Sequence, residues 1–209
     1  MKSYIAVAGN IGVGKSTLTG LLSERLGWEP FYEADAENPY LADFYQNMRQ
    51  WSFHSQVFFL SRRLRHHRQL LDRTGSVVQD RSVYEDAEIF ARNLYLQGSM
   101  DERDYRTYRE LYEVLTMFLP PPDLVVYLRA SVPMLMQRIA LRGRDFERTI
   151  APDYVARINE LYEEWITRFT HCQLLVLPAD ELDFVKHREH LDQIVAQVQE
   201  KLRTHSLII

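Results

Sequence analysis

A single cysteine, Cys172, stands among the 209 residues, which excludes an internal disulfide. It lies between a helical pattern and an apolar run and reads as a buried structural thiol. Long apolar stretches are also missing. The opening run is too short for a signal-peptide core and passes directly into a glycine-rich loop, and no later run is long enough to span a bilayer. The expected compartment is the cytoplasm, or an organelle matrix if a targeting segment was removed. Excess positive charge is absent too. With 25 Lys and Arg against 29 Asp and Glu the net charge is −4, so no partner is expected among nucleic acid polymers or anionic membranes. Repeats, low-complexity tracts and linkers are likewise absent. With 46% of its residues hydrophobic, the chain suffices for one well-buried domain over 1–209.

Against these absences one stretch carries strong information. Gly9, Asn10, Ile11, Gly12, Val13, Gly14, Lys15 and Ser16 form a complete G-x-x-x-x-G-K-S loop after the apolar run Tyr4 to Ala8 and before a helical pattern. Strand before and helix after is the context in which this motif binds phosphate. The glycines allow a tight turn whose N–H groups face phosphate oxygens, Lys15 adds a mobile positive charge, and Ser16 offers a hydroxyl to Mg²⁺. Thr17 completes the phosphate-binding set.

Leu18, Leu21, Leu22 and Leu26 then recur at helical spacing up to Gly27, and Trp28 to Glu33 reads as a short second strand. Asn38-Pro39 breaks the chain before a short helix with Tyr40, Leu41, Phe44 and Tyr45. A long helical pattern follows from Trp51 to Leu71, closed by Gly75. Val77 to Ser82 reads as a buried strand ending in an acid, a base and a hydroxyl. Helices are expected over Tyr84–Leu96 and Glu102–Phe118, the second capped by Asp101 and stopped before Pro120. Their apolar faces exceed what one sheet face needs, which fits either a homodimer interface built from this helix pair or an internal core surface. Further strands are expected at Asp123–Leu128 and Gln173–Leu177, and helices at Val132–Leu141, Tyr154–Phe169 and Phe184–Leu202. Five apolar runs separated by helices predict an α/β fold with a five-stranded parallel sheet and helices on both faces.

A phosphate loop alone does not separate a kinase from a GTPase switch or another nucleotide-dependent protein. A GTPase needs Asn-Lys-x-Asp after a later strand; here Leu128 is followed by Arg129-Ala130-Ser131. A kinase acting on a small hydroxyl needs a base, cations around the migrating phosphoryl group and a means of excluding water. Glu33, at a strand end beside the loop, is the candidate base, a solvated acid being the alternative. Arg81 can bridge the acceptor oxygen and the phosphates while Asp80 holds Mg²⁺-bound water; a structural Asp–Arg pair is the alternative. Arg138, Arg142 and Arg144 run across a helix end into a glycine-containing loop, either a lid over about 138–150 that closes on ATP or a solvated basic surface.

Taken together, Gly-Asn-Ile-Gly-x-Gly-Lys-Ser, Glu33, the Trp51 to Gln56 helix, the Asp80-Arg81-Ser82-Val83-Tyr84-Glu85-Asp86…Phe90 run and the Arg-x-x-x-Arg-x-Arg lid resemble the deoxynucleoside kinases. The match runs from residue 3 to about 170 and is most similar to the bacterial deoxyadenosine/deoxyguanosine kinase branch, related to deoxycytidine kinase. The resemblance implies a P-loop kinase fold, usually in a homodimer, and transfer of the ATP γ-phosphoryl group to a deoxynucleoside 5′-hydroxyl. It makes Glu33 the general base and Arg81 the arginine near the 5′-oxygen. Gln56 is similar to the glutamine that reads the nucleobase edge, for which an amide supplies donor and acceptor. Tyr45 and Glu147 resemble the pair holding the sugar 3′-hydroxyl, Phe90 the aromatic on the base, and Leu41 belongs with the nucleoside-binding residues. Arg63 and Asp86 resemble a pair found in members that accept purines or cytosine, so a purine deoxynucleoside is the expected acceptor. Departures from the pattern are Ala34-Asp35 after the base, Asp80 for glutamate, and Ser55 for an aromatic. The nearest rival is a nucleoside monophosphate kinase of the thymidylate-kinase kind, which needs cations for an acceptor phosphate.

Overall fold

The computed structural model describes residues 2–32, 38–144, 147 and 150–206. Five parallel strands form one sheet: β1 (Tyr4–Gly9), β2 (Glu29–Phe31), β3 (Val77–Asp80), β4 (Leu124–Arg129) and β5 (Gln173–Pro178), in the spatial order β2-β3-β1-β4-β5. Central β1 is buried along its whole length, which is why it reads as an unbroken apolar run. Ala8 pairs with Tyr127 and Gly9 with Leu128, so the glycine-rich loop leaves the middle of the sheet at its carboxyl edge. Parallel sheets bring ligands to that edge.

Helix α1 (Lys15–Leu26) and helix α9 (Arg188–Ser206) pack together against one face. The opposite face meets α3 (Met48–Leu71), whose His67 ring stands edge-on to Tyr4, and α8 (Pro152–Arg168), whose Tyr162 stacks on Tyr127. The remaining helices are α2 (Leu41–Gln46), which packs on α3, α7 (Val132–Arg142), which packs on α8, and α4 (Val83–Glu85), α5 (Arg92–Leu96) and α6 (Glu102–Thr116). The expected α/β architecture is the observed one. Cys172 sits half-buried just before β5, and burial pushes its thiol up to about 12.

Several boundaries differ for local reasons. Helix α3 starts three residues before Trp51 because the Asn47 side chain accepts from the Gln50 N–H at 3.3 Å, while it ends at Leu71 as expected. Strand β3 stops at Asp80, two residues before the expected Ser82, because Arg81 adopts φ 65° and turns the chain. It is the only non-glycine residue with positive φ among the described residues. Ser82 then begins a capping box completed by Glu85. The single helix expected over Tyr84–Leu96 is instead α4 and α5 joined by a π-helical segment, Asp86–Ala91. Helix α9 starts at Arg188 and not Phe184, since Asp183 Oδ1 accepts from the Val185 and Lys186 N–H groups and holds 183–186 as a turn.

Candidate active site

Two glycines show why the loop has its sequence. A Cβ on Gly9, at φ 148°, would lie 2.9 Å from the Leu128 carbonyl oxygen. On Gly12, at φ 81°, it would lie 2.7 Å from Ile139 of α7. The loop therefore turns tightly under α7 and opens into α1, presenting N–H groups to any anion in front of it. The Asn10 side chain faces the other way. Its Oδ1 accepts from the Ile11 N–H at 2.7 Å, and its Nδ2 donates to the Val155 carbonyl and to Asn159 Oδ1, each at 3.1 Å, clamping the loop onto α8. Lys15 is buried and donates to the Asn10 carbonyl at 3.1 Å. The Ser16 hydroxyl donates to Asp80 Oδ2, joining loop and β3 end.

Two cavities open on this loop. The first, about 830 Å³ including its mouth, gathers Leu41, Tyr45, Gln56, Asp80, Arg81, Asp86, Phe90 and Glu147 from five separate stretches of chain. Phe44, Phe59 and Tyr154 line it as well; the sequence analysis gave them no role in the site, and the only hint is that Phe44 and Phe59 follow Leu41 and Gln56 by three residues on the same helices. Burial pushes the Tyr154 hydroxyl up to about 12 and raises that of Tyr45, so both are protonated hydrogen-bonding groups at neutral pH. The second cavity, about 1150 Å³ with its open side, is lined by Val13, Gly14, Thr17, Arg138 and the 182–186 turn. Phe184 and Val185 on that turn were missed because they were read into α9. Gly12, Lys15, Ser16, Arg142 and Arg144 border both cavities.

Within the first cavity the side chains are already paired. Arg81 lies over the Phe90 ring with its guanidinium carbon 4.3 Å from the centroid. Arg142 Nε donates to Glu147 Oε2 at 3.0 Å, with a second bond from Nη2, and Arg144 approaches the same carboxylate at 3.8 Å. Asp86 faces the cavity with Arg63 behind it: Nε donates to Oδ2 at 3.1 Å and Nη2 to Oδ1 at 3.3 Å, while Nη1 reaches the Asp80 and Arg81 carbonyls. The π segment, wider than an α-helix, presents Asp86 and Phe90 together at the cavity wall. Arg138 donates to the Val13 carbonyl at 2.8 Å and the Ala179 carbonyl at 2.9 Å, tying α7 to loop and sheet at the second cavity. Glu33 lies outside the described residues, two positions after β2 ends.

Loop, paired cavities and shared cations suit phosphoryl transfer between two small ligands. The family model described as deoxynucleoside kinase matches residues 5–203. The chain belongs to the deoxynucleoside kinase family. The kinase is 39% identical over 198 residues to the deoxyadenosine/deoxycytidine kinase of Bacillus subtilis (strain 168), covering 94% of this chain and 91% of that one. It is 33% identical to a deoxyguanosine kinase of the same organism, over 94% and 96% of the two chains. A solved structure of deoxyadenosine kinase from M. mycoides with bound dATP superposes with a TM-score of 0.84 at 31% identity, covering 94% of this chain and 99% of that one. The monophosphate-kinase and switch readings give way to this family.

Proposed function

We propose that the kinase transfers the γ-phosphoryl group of ATP to the 5′-hydroxyl of a purine deoxynucleoside, supplying the 5′-monophosphate for deoxynucleotide salvage. The observation carrying this reading is that Lys15, Ser16, Arg142 and Arg144 border both cavities, so a donor phosphate in one faces an acceptor in the other. In the first cavity Gln56 reads the base edge beside Asp86, Phe90 packs on the base, and Tyr45 with Glu147 holds the sugar. Glu33 accepts the hydroxyl proton. Arg81, Lys15 and the lid arginines neutralise the charge that builds on the migrating group. An Mg²⁺ ion suits the Ser16 and Asp80 oxygens, which already meet at the loop; hard cations take oxygen ligands, the rest coming from phosphate and water. When bound, the ion offsets phosphate charge. The whole chain, 1–209, acts as one kinase domain whose lid spans about 138–150, working in the cytoplasm; no described helix is long and apolar enough to cross a membrane.

The test is phosphorylation of deoxyadenosine, deoxyguanosine, deoxycytidine, thymidine and their 5′-monophosphates with Mg-ATP. The highest kcat/KM is expected for a purine deoxynucleoside, with no turnover of any monophosphate. A pyrimidine ranked first overturns the purine preference, and turnover of a monophosphate alone overturns the acceptor assignment.

The kinase further pairs as a homodimer through α5 and α6. Leu111, Val114 and Phe118 recur along one face of α6 and just beyond it, with Val114 57% and Phe118 79% exposed, and Leu96 stands exposed at the end of α5. Val114→Asp is expected to give a monomer by sedimentation velocity where the parent gives a dimer. A parent that sediments as a monomer rejects this interface.

A further inference from the structure

Glu85 lines neither cavity, and its side chain is 0% exposed. Burying a carboxylate is costly unless its lone pairs are satisfied. Four neutral donors do so here. Oε2 accepts from the Ser82 N–H at 2.7 Å and the Ser82 hydroxyl at 3.1 Å, which is the capping box at the start of α4. Capping needs no more than that. Yet Oε1 accepts from the Gly9 N–H at 3.2 Å and the Tyr162 hydroxyl at 2.7 Å, neither of which belongs to that helix.

These partners are the parts that must be aligned for transfer. Gly9 ends β1 and begins the phosphate loop, and Ser82 follows Arg81, whose left-handed backbone aims its guanidinium into the first cavity. Tyr162 belongs to α8. One buried carboxylate thus spans the root of the donor loop, the turn beneath Arg81 and helix α8. We propose that Glu85 is a positioning residue that holds the phosphate loop and Arg81 in register for phosphoryl transfer.

Glu85→Gln keeps the shape and replaces one acceptor oxygen with an amide nitrogen. The hydroxyls of Ser82 and Tyr162 can rotate, and Tyr162 already lies 2.8 Å from the Gly9 carbonyl oxygen. Backbone N–H groups cannot rotate. The new amide nitrogen must face the N–H of either Gly9 or Ser82, donor against donor, and push loop and turn apart. Misplacement on the order of an ångström costs about 10²-fold in rate. The expected result is kcat lowered about 10²-fold with KM for ATP and deoxynucleoside held within about threefold, since ligand contacts are kept. A residue with only a structural role would lower the melting temperature and leave kcat per folded molecule unchanged; that outcome overturns the proposal, as does a rise in KM at constant kcat.

If Glu85→Gln does not fold, Tyr162→Phe removes a single donor to the same oxygen and is expected to lower kcat about fivefold at constant KM. Unchanged kcat there also overturns the proposal. The inference rests on Arg81 acting at the transferring phosphate, so Arg81→Lys is assayed alongside. No loss in Arg81→Lys rejects that assignment, whereas loss in Arg81→Lys without loss in Glu85→Gln rejects the positioning role alone.

Discussion

Replacing Glu33 with glutamine is expected to lower kcat by about 10² to 10⁴ while ATP still binds, because a positioned general base contributes about that factor. Charge, not shape, decides the effect. Glutamine retains the size and hydrogen-bonding reach of glutamate but cannot take the proton that the 5′-hydroxyl must release. Lys15, Ser16 and the lid arginines are untouched by the change, so donor affinity is expected to stay within about threefold of the parent. Steady-state turnover beside calorimetric titration of ATP reads both quantities. Activity within tenfold of the parent would remove Glu33 from the reaction. Parallel loss of ATP affinity would make its effect structural.

The second large effect concerns the pair at the wall of the first cavity. Arg63 and Asp86 are each 4% exposed and share two hydrogen bonds. Removing one partner of a buried ion pair leaves an uncompensated charge and costs about 3–5 kcal/mol, whereas removing both costs far less. Asp86→Ala alone is therefore expected to lower the melting temperature by about 6–20 °C. Adding Arg63→Met to it should recover much of that loss. The recovery is bounded, because the Arg63 guanidinium also holds the Asp80 and Arg81 carbonyls in the turn behind Arg81. The double variant is expected to change the ranking of deoxynucleosides by kcat/KM. An unchanged ranking rejects the role of the pair in base choice, and a single variant as stable as the parent rejects its energetic role.

The parts of the site legible in sequence were those set by local rules. A glycine-rich loop between an apolar run and a helical pattern needs no tertiary knowledge, and neither does the alternation of strand and helix that specifies the sheet. Resemblance added Gln56, Tyr45, Phe90 and Glu147, and four different elements bring these into one cavity. Features set by distant packing stayed hidden. Nothing near Arg81 in the sequence announces φ 65°, since arginine ordinarily avoids that region and the tie from the Arg81 N–H to the Val7 carbonyl is a tertiary contact. Glu85 looks like an ordinary capping-box acid until Gly9 and Tyr162 arrive from 76 and 77 residues away. The π segment is invisible to a 3.6-residue period, which assigns its residues to a regular helix. Phe184 was absorbed into α9 because its apolar character continues that helix's pattern, while Asp183 was not recognised as the residue that turns the chain.

The centre and one edge of the sheet also differ in how they loosen. The phosphate loop springs from β1, hydrogen-bonded on both sides and buried throughout, whereas β2 is a three-residue edge strand paired with β3 alone and largely exposed. Amides in β1 exchange with solvent only when the whole domain opens, while those of β2 exchange through small local openings of low free energy. Glu33 follows β2 by two residues in the sequence, so warming or mild denaturant is expected to relax this edge first. Activity is therefore expected to fade before the fold does, which turnover followed beside far-ultraviolet circular dichroism through a thermal ramp would read.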